Sequence, residues 1–370
     1  MTPRGACPSL AAPMPTGDGL LLRAPPGWWS PAVVLAIADA ADRFGNGVVE
    51  ITARGSLQIR GLRAETAEAC ADALVTGGIV DAPPVLVGPL AGRDRSEIAD
   101  PRGIAAAIVE GWPEGLAAKT SVVVDGGGAL HLDAVGADLR LVAVDASNWA
   151  MGLGDKWLAR VPVEEAAPAA LAALRHLGTR RAREVATEST NPPPASRAPA
   201  EPIGWHAAGA LGVAGAFGAL EARTLAAFAD AAPPDSLLRP APGRALLVLG
   251  LNPAQGAALR EKAAAFGLVT DPADPRRRIA ACPGSPACAS GEAATRELAA
   301  SLAMLAELPP GIIHISGCAK GCAHPGPAAI TLVGCDGGFG LVRGGVARDH
   351  PACHLAPRDI AAALKEWPTP

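Results

Sequence analysis

No tyrosine occurs in this 370-residue chain, and aromatic residues make up only 3% of it. Tyrosyl radical chemistry and phenolic general acids are thereby excluded. Basic charge is not in excess either, since 32 Lys and Arg stand against 36 Asp and Glu for a formal charge of −4. Nucleic acid as a main partner would need a basic face, so none is expected. No apolar run reaches the ~20 residues needed to cross a bilayer, and the longest candidate, Ala207 to Leu220, is broken by glycines. The stretch Met1–Met14 holds three prolines and nothing like the apolar segment of a secretory signal. A reducing cytoplasm is therefore expected. Dinucleotide fingerprints are missing as well. Gly45-Asn46-Gly47 and Gly126–Gly128 lack the G-x-G-x-x-G spacing between a strand and a helix, so NADH is not expected to bind here.

What the chain does have is four cysteines in its last third. Cys282 and Cys288 lie in C-P-G-S-P-A-C, and Cys318 and Cys322 in G-C-A-K-G-C. Two close thiol pairs in Gly/Pro-containing loops suit a four-thiolate metal site, because short loops let the backbone wrap a compact inorganic core. Structural zinc prefers tighter pairs than C-x5-C. Disulfides do not suit a long chain without a leader, and four unrelated buried thiols are the remaining bland reading. Cys7, Cys70, Cys335 and Cys353 have no pair spacing of this kind and read as ordinary core or loop residues.

The 49% hydrophobic content and 18% charged content predict a globular chain with a large core and more than one domain. Two halves repeat the same order of elements. In the first, a strand at Gly19–Arg23 precedes a helix at Pro31–Phe44, strands at Val48–Thr52 and Leu57–Arg60, and a helix near Glu65–Val75. In the second, a strand at Ala210–Ala216 precedes a helix at Leu220–Ala231, strands at Ser236–Arg239 and Ala245–Leu249, and a helix at Ala254–Phe266. Gly61-Leu62 and Gly250-Leu251 close matching strands. Val122–Asp125 and Leu332–Asp336 both read as strands entering Gly-rich hairpins. Around the cysteines, a helix over Gly291–Leu308 and a strand over Ile312–Ile315 are expected. The Pro-rich stretch 187–202 reads as a linker. The fold class is thus α+β: a duplicated unit with a pseudo-twofold axis. Its expected parts are lobes at 1–78 and 203–268, larger lobes at 79–186 and 269–370, and the linker between the halves.

These residues resemble the nitrite/sulfite reductase superfamily, whose members pair a ferredoxin-like lobe with a larger lobe in each half. The resemblance rests on C-x5-C…C-x3-C at Cys282, Cys288, Cys318 and Cys322. It also rests on Thr52-Ala-Arg54-Gly-Ser-Leu-Gln58-Ile-Arg60, Gly88-Pro-Leu-Ala-Gly92, Glu97-Ile-Ala-Asp100, and Lys119 before Ser121–Val124. It implies a [4Fe-4S] cluster on those cysteines, with Cys322 at the position that bridges to sirohaem iron in the reductases. Arg54 and Lys119 stand where two members of an anion-holding crown are expected. The other arginine is missing from 81–87, and Ser121 replaces the other lysine.

With half the clamp gone, and with the opening Arg4-Gly-Ala-Cys7-Pro8 and Pro13-Met14-Pro-Thr16-Gly17-Asp18-Gly19, the chain is similar to the branch of that superfamily that works in aerobic cobalamin biosynthesis. That likeness implies an O2-dependent monooxygenase that hydroxylates precorrin-3A at C20 and closes a γ-lactone. It further implies a mononuclear non-haem iron besides the cluster, and electrons from an external NADH-dependent reductase or ferredoxin. Alternatives are a sirohaem-dependent sulfite or nitrite reductase, and a non-catalytic iron–sulfur carrier or tetrapyrrole-binding protein.

A substrate with eight carboxylates calls for cationic donors. The candidates are Arg54, Arg60, Lys119, Arg276, Arg277, Arg278 and Lys320, with Gln58 as a hydrogen-bonding partner of the macrocycle. For Lys320, tuning of the cluster through its charge is the open alternative. His324 is the best-placed ligand for a non-haem iron. His314 reads as a hydrogen-bonded core histidine, while His131 and His206 cannot be ranked. Trp28-Trp29 reads as a buried pair rather than a docking patch. No catalytic residue is identified.

Overall fold

The computed structural model describes residues 8–185 and 188–365, so Arg4, Cys7 and Thr187 lie outside the described residues. Four segments follow one another. The first holds β1 (Met14–Thr16), β2 (Gly19–Ala24), α1 (Pro31–Phe44), β3 (Val48–Ile51), β4 (Leu57–Leu62) and α2 (Ala64–Thr76). The second holds β5 (Val85–Val87), α3 (Arg102–Glu110), β6 (Val122–Asp125), β7 (Leu139–Ala143), β8 (Asn148–Leu153), β9 (Lys156–Pro162) and α4 (Val163–Leu177). The third holds β10 (Gly204–His206), β11 (Ala210–Ala214), β12 (Ala219–Glu221), α5 (Ala222–Ala231), β13 (Leu237–Ala241), β14 (Ala245–Leu249) and α6 (Pro253–Ala265). The fourth holds β15 (Ile279–Ala281), α7 (Thr295–Ala303), β16 (Ile313–Ser316), β17 (Ala328–Cys335), β18 (Gly338–Gly345), β19 (Cys353–Leu355) and α8 (Pro357–Lys365). Second and fourth segments share one element order.

Local chemistry explains several boundaries. Ser30 caps α1 by accepting from Val33 N–H, and Pro31 sits in the first turn, where its missing N–H costs nothing. Asn252 and Gln255 form a reciprocal capping box at α6. Helix α1 buries Val34, Ile37, Ala38 and Ala41 on one stripe. That is the spacing of a helix lying on a sheet.

The two larger sheets have the same topology. β5, β6 and β7 run parallel, with β8 and β9 antiparallel beyond them. β15, β16 and β17 run parallel, with β18 and β19 antiparallel. The two smaller sheets are antiparallel, in the orders β1-β2-β4-β3-β12 and β10-β11-β14-β13. They are interlocked. Strand β12 from the second half pairs with β3 of the first, and Trp29 of the first half bridges to Leu238 in β13. The hairpin tips also meet, through the Arg54–Pro242 bridge and the Gly243 N–H to Ala53 carbonyl bond. Helices α1 and α5 pack on each other, and one core runs through both small sheets, with Ile37, Ile51, Leu62, Phe228 and Val248 all buried.

Four expectations are corrected. Val122–Asp125 does not enter a hairpin: β6 is a central parallel strand, and the counterpart of β17 is β7. Alternation cannot distinguish these cases, because neither VVVD nor AAITLVGC alternates apolar with polar side chains. The helix expected over Gly291–Leu308 is shortened to α7, because residues 285–293 bond to the cysteine loops instead. The helix expected from Leu220 starts at Ala222, since 219–221 is claimed by β3. The strand expected to run on to Ala216 stops at Ala214, and Phe217 turns the chain at φ 58°. Residues 188–202 carry no helix or strand, yet Thr190 donates its N–H to the Trp157 carbonyl, so this connector is laid against the second segment.

Because α5 belongs to a core shared by both halves, Phe228→Ala should cost about 3–5 kcal/mol. Urea unfolding followed by circular dichroism should show a single shifted transition, rather than the loss of one half before the other.

Candidate functional site

The cysteines sit just past the carboxyl ends of parallel strands, the edge at which open α/β sheets form their crevices. Cys282 follows β15, and Cys318 and Cys322 follow β16. The loops lock each other. Cys282 N–H donates to the Ile315 carbonyl, Glu292 N–H donates to the Gly317 carbonyl at 2.8 Å, and Gly317 N–H reaches Cys282 Sγ at 3.2 Å. Gly284, at φ 63°, lies where a Cβ would meet Thr295 Oγ1 at 2.4 Å. Burial first, then the charges of Cys282, Cys318 and Cys288, push the Cys322 thiol up, and Lys320 partly opposes this.

No three of these sulfurs lie within 4.8 Å of one another among the described residues. Tetrahedral zinc with bonds of about 2.3 Å would hold all four roughly 3.8 Å apart. The sulfurs are therefore not drawn together as such a zinc site would draw them.

The first small sheet covers these loops. Gly17 rests on the Cys288–Ala289 backbone. Next to it, Asp18 pairs with Arg60 at 3.2 Å, Arg60 reaches Glu50 at 3.6 Å, and Glu50 pairs with Arg296. Burial acts to lower the Arg60 pKa, but the Glu50 and Asp18 carboxylates outweigh it, with Cys288 adding to them. Arg60 thus lies beside the cysteines but is engaged by two carboxylates. Gln58 is half-buried in the same strand. Lys320 donates to Ser290 Oγ at 2.7 Å, tying the two cysteine loops together.

The other predicted cations go elsewhere. Arg276 pairs with Asp274, Arg277 with Glu201, and Arg278 with the carbonyls of Leu308, Pro309 and Gly311. The run therefore spreads into three structural contacts rather than one basic surface. Arg54 donates to the Gly136 carbonyl. Lys119, at φ 69°, lines a cavity of about 400 Å³ with Arg23, Trp112, Glu114 and Thr120. Left-handed backbone at a non-glycine residue stores strain of a kind that gathers at functional sites.

Sequence reasoning passed over Arg244. It sits at the tip of the β13–β14 hairpin at φ 64° and donates from Nη2 to the Ala323 carbonyl, next to Cys322, at 3.0 Å. Gly218 is needed beneath it, since a Cβ there would lie 2.9 Å from Arg244 Cδ. The one available signal was the echo between Ala53-Arg54-Gly55 and Gly243-Arg244 at equivalent hairpins. Arg239 was also missed. It is 4% exposed and stacks 4.2 Å from the Trp28 ring, and burial pushes its pKa down to about 10. Trp29 is buried and Trp28 half-buried.

His314 is fully buried, but it is not the hydrogen-bonded core residue expected, because neither ring nitrogen has a hydrogen-bond partner among the described residues. An unsatisfied buried polar atom costs roughly 1–3 kcal/mol. Burial, and then His324, push its pKa down to about 4. The His324 ring lies 5.8 Å away. His350 and His354, spaced H-x-x-x-H, lie on a loop and a strand rather than a helix, and His354 Nδ1 contacts Cys335 Sγ at 3.4 Å. Cys70 is buried in the shared core, Cys353 is exposed, and His206 bonds the Pro202 carbonyl.

At the equivalent place in the second segment, Asp125, His131 and Asp133 come together, their ligand atoms within 4.8 Å of one another. Arg197 from the connector already pairs with both carboxylates there. In the preceding loop Glu97 accepts from Gly92 N–H at 2.7 Å, and burial, with Asp100 and Asp94 nearby, pushes its pKa up to about 7.

Three comparisons bear on this architecture. The family described as nitrite/sulfite reductase ferredoxin-like half domain matches residues 12–76. A precorrin-3B synthase from a Sinorhizobium species is 42% identical over 98% of this chain and 87% of its own. The solved structure of the Mycobacterium tuberculosis NirA protein superposes with a TM-score of 0.71 at 20% identity, covering 93% of this chain and 79% of that one. The last likeness bears out the duplicated α+β fold.

Two outcomes are expected. Gly17→Ala would place a Cβ 1.7 Å from Ala289 N and should lower stability by about 1–3 kcal/mol in denaturant titration. Glu97, raised from 4.5 to about 7, contributes stability that is full below the lower value and is lost as pH rises through the upper one. Glu97→Gln should therefore raise the melting temperature near about pH 8 and leave it unchanged near about pH 4. Equal effects at both would refute the assignment.

Proposed function

The chain belongs to the precorrin-3B synthase family and is an oxidoreductase, and on that premise we propose that it converts precorrin-3A to precorrin-3B with O2, drawing electrons through a [4Fe-4S] cluster on Cys282, Cys288, Cys318 and Cys322. The observation that carries the cluster is the arrangement of those thiols. They lie in two loops that follow adjacent parallel strands and are tied together by the Gly317 N–H to Cys282 Sγ bond, and no three of their sulfurs come within 4.8 Å of one another among the described residues. When bound, the cluster supplies electrons singly.

The residues present perform the remaining tasks. Gly17, Asp18 and Arg60 shield the Cys288 side of the loops from water. Arg244 and Lys320 fix the segment carrying Cys318 and Cys322. Lys119 and Arg23, on the wall of the 400 Å³ cavity, offer positive charge to the carboxylates of the macrocycle, and Gln58 offers an amide. One atom of O2 goes to C20 and the other leaves as water, which consumes two electrons and two protons beyond those of the substrate. The ring-A acetate then closes the γ-lactone. The electrons come from a separate NADH-dependent reductase or ferredoxin, in the cytoplasm. No helix among the described residues is long and apolar enough to cross a membrane.

The sirohaem-dependent sulfite or nitrite reductase reading draws on the NirA-like fold, but a small anion needs the full cationic crown. Here the arginine expected in 81–87 is missing, and Ser121 replaces the second lysine.

Protein purified without air and given precorrin-3A, reductant and 18O2 should yield product heavier by one labelled oxygen. Sirohaem in the visible spectrum, or zinc by elemental analysis, would sink the reading. Cys318→Ser should abolish cluster and turnover together, whereas Cys70→Ser, in the shared apolar core, should leave the cluster in place.

A further inference from the structure

We propose that a groove in the fourth segment is where the electron donor docks, and that the donor is a carrier protein with a basic face. Its purpose rests on the cluster reading above; its geometry does not. The groove, of about 390 Å³, lies between α7, the β17–β18 hairpin and the start of α8. Buried Leu298 and Phe339 line it together with exposed Ser301, Glu292 and Glu297. Every lining residue belongs to this one segment, so a partner can seat there without displacing another.

The first ground is nearness to the thiols. Glu292, on the groove wall, donates its N–H to the Gly317 carbonyl at 2.8 Å, and Gly317 N–H reaches Cys282 Sγ at 3.2 Å. Two hydrogen bonds thus lead from the groove to a sulfur. A second link runs through α7. Its first residue, Thr295, is buried 4.0 Å from the same sulfur and donates to the Cys282 carbonyl. Backbone rather than side chain fills the layer between, since a Cβ on Gly291 or Gly334 would meet neighbouring backbone at 2.8 Å. The other sides are covered. Gly17 rests on the Cys288–Ala289 backbone, and the Arg244 hairpin reaches Ala323. Cys322 stays exposed, so a donor in the groove leaves that approach open to the substrate.

The second ground is charge. No Lys, Arg or His is among the described residues lining the groove. Asp336, in the adjoining hairpin turn, is exposed, and Arg358, next to Pro357, is met by Asp359 at 3.8 Å. Glu292, Glu297 and Asp336 therefore leave this face acidic. Such a face steers a Lys- or Arg-rimmed protein into contact and repels the pyrophosphate of a nicotinamide dinucleotide. A carrier protein is thus favoured over NADH itself. One electron leaves the carrier and enters the thiolate-bound group, with no proton moved and no bond made or broken.

The test uses full-length protein isolated without air, with cytochrome c, a lysine-rimmed haem carrier, as the probe. Calorimetry at low salt measures association, and stopped flow follows one electron passing from the reduced protein to the ferric haem. Glu292→Gln combined with Glu297→Gln should weaken association about tenfold and flatten its salt dependence. Transfer should slow by a similar factor, with the visible spectrum unaltered. Glu65→Gln combined with Glu68→Gln, which removes the same charge from exposed positions on α2, should change neither quantity. Equal losses in both double variants would mean attraction to net charge alone and overturn the proposal, as would undiminished binding in the first. Protein that shows no cluster signal yet binds cytochrome c through Glu292 and Glu297 would instead defeat the cluster reading and leave the docking surface standing.

Discussion

Helix α1 packed on helix α5 is the contact that fixes everything else. It joins the two small sheets around one apolar core, and fully burying each Leu, Ile or Phe of that core is worth about 1.5–3 kcal/mol. Once the inner faces are committed, each small sheet has only its outer face left to cover a larger lobe. The first covers the cysteine loops through Gly17, Arg60 and Glu50. The second covers the β5–β9 lobe, where Leu247 and Leu249 meet Leu90 and Leu130.

The duplication sharpens the contrast between those faces. Gly61-Leu62 and Gly250-Leu251 align the strands, and the registers pair Glu50 with Gln58 and Arg239 with Leu247. Gln58 and Arg60 thus correspond to Leu247 and Leu249, and Glu50 to Arg239. One cleft stays polar and opens on thiols. Its twin has filled with apolar side chains, leaving Arg239 buried against Trp28. The loops diverge in the same sense: where one lobe places thiols, the other places Asp94, Glu97, Asp125 and His131, held by backbone N–H groups and by Arg197.

Much of this was legible in the chain. Ser30-Pro31 and the stripe Val34, Ile37, Ala38, Ala41 mark α1 from its first residue to its last, because cap chemistry and helical periodicity are local signals. The cysteine spacing located the loops for the same reason. What failed was non-local. The apolar runs of β6 and β17 look alike in sequence, yet only pairing tells a central parallel strand from a hairpin arm. Arg276, Arg277 and Arg278 read as one basic patch, while a short helical turn points them at three different partners. Arg244 gave no periodic signal, because its role depends on a left-handed tip meeting a loop 79 residues away. The missing partners of His314 could not be read from alternation, which reports burial but not satisfaction.

Charge decides what the cations around the cysteines are for. Arg60, Arg244, Arg296 and Lys320 converge there with Asp18 and Glu50, leaving an excess of two positive charges among these six groups. Four thiolates around a cube of opposite formal charge would carry about two negative charges. Burying such a group is tolerable only if it is balanced nearby. The cations beside the thiols are thus matched to the proposed cluster and have nothing left over for an acid-fringed macrocycle. Its carboxylates must be met elsewhere. Among the described residues, Lys119 and Arg23 share the cavity wall with a single carboxylate, that of Glu114, and Arg23 is held there by the Pro8 carbonyl and Ser56 Oγ. In the proposed reaction these two cations anchor the substrate from the first half of the chain, while the proposed cluster delivers the electrons from the second.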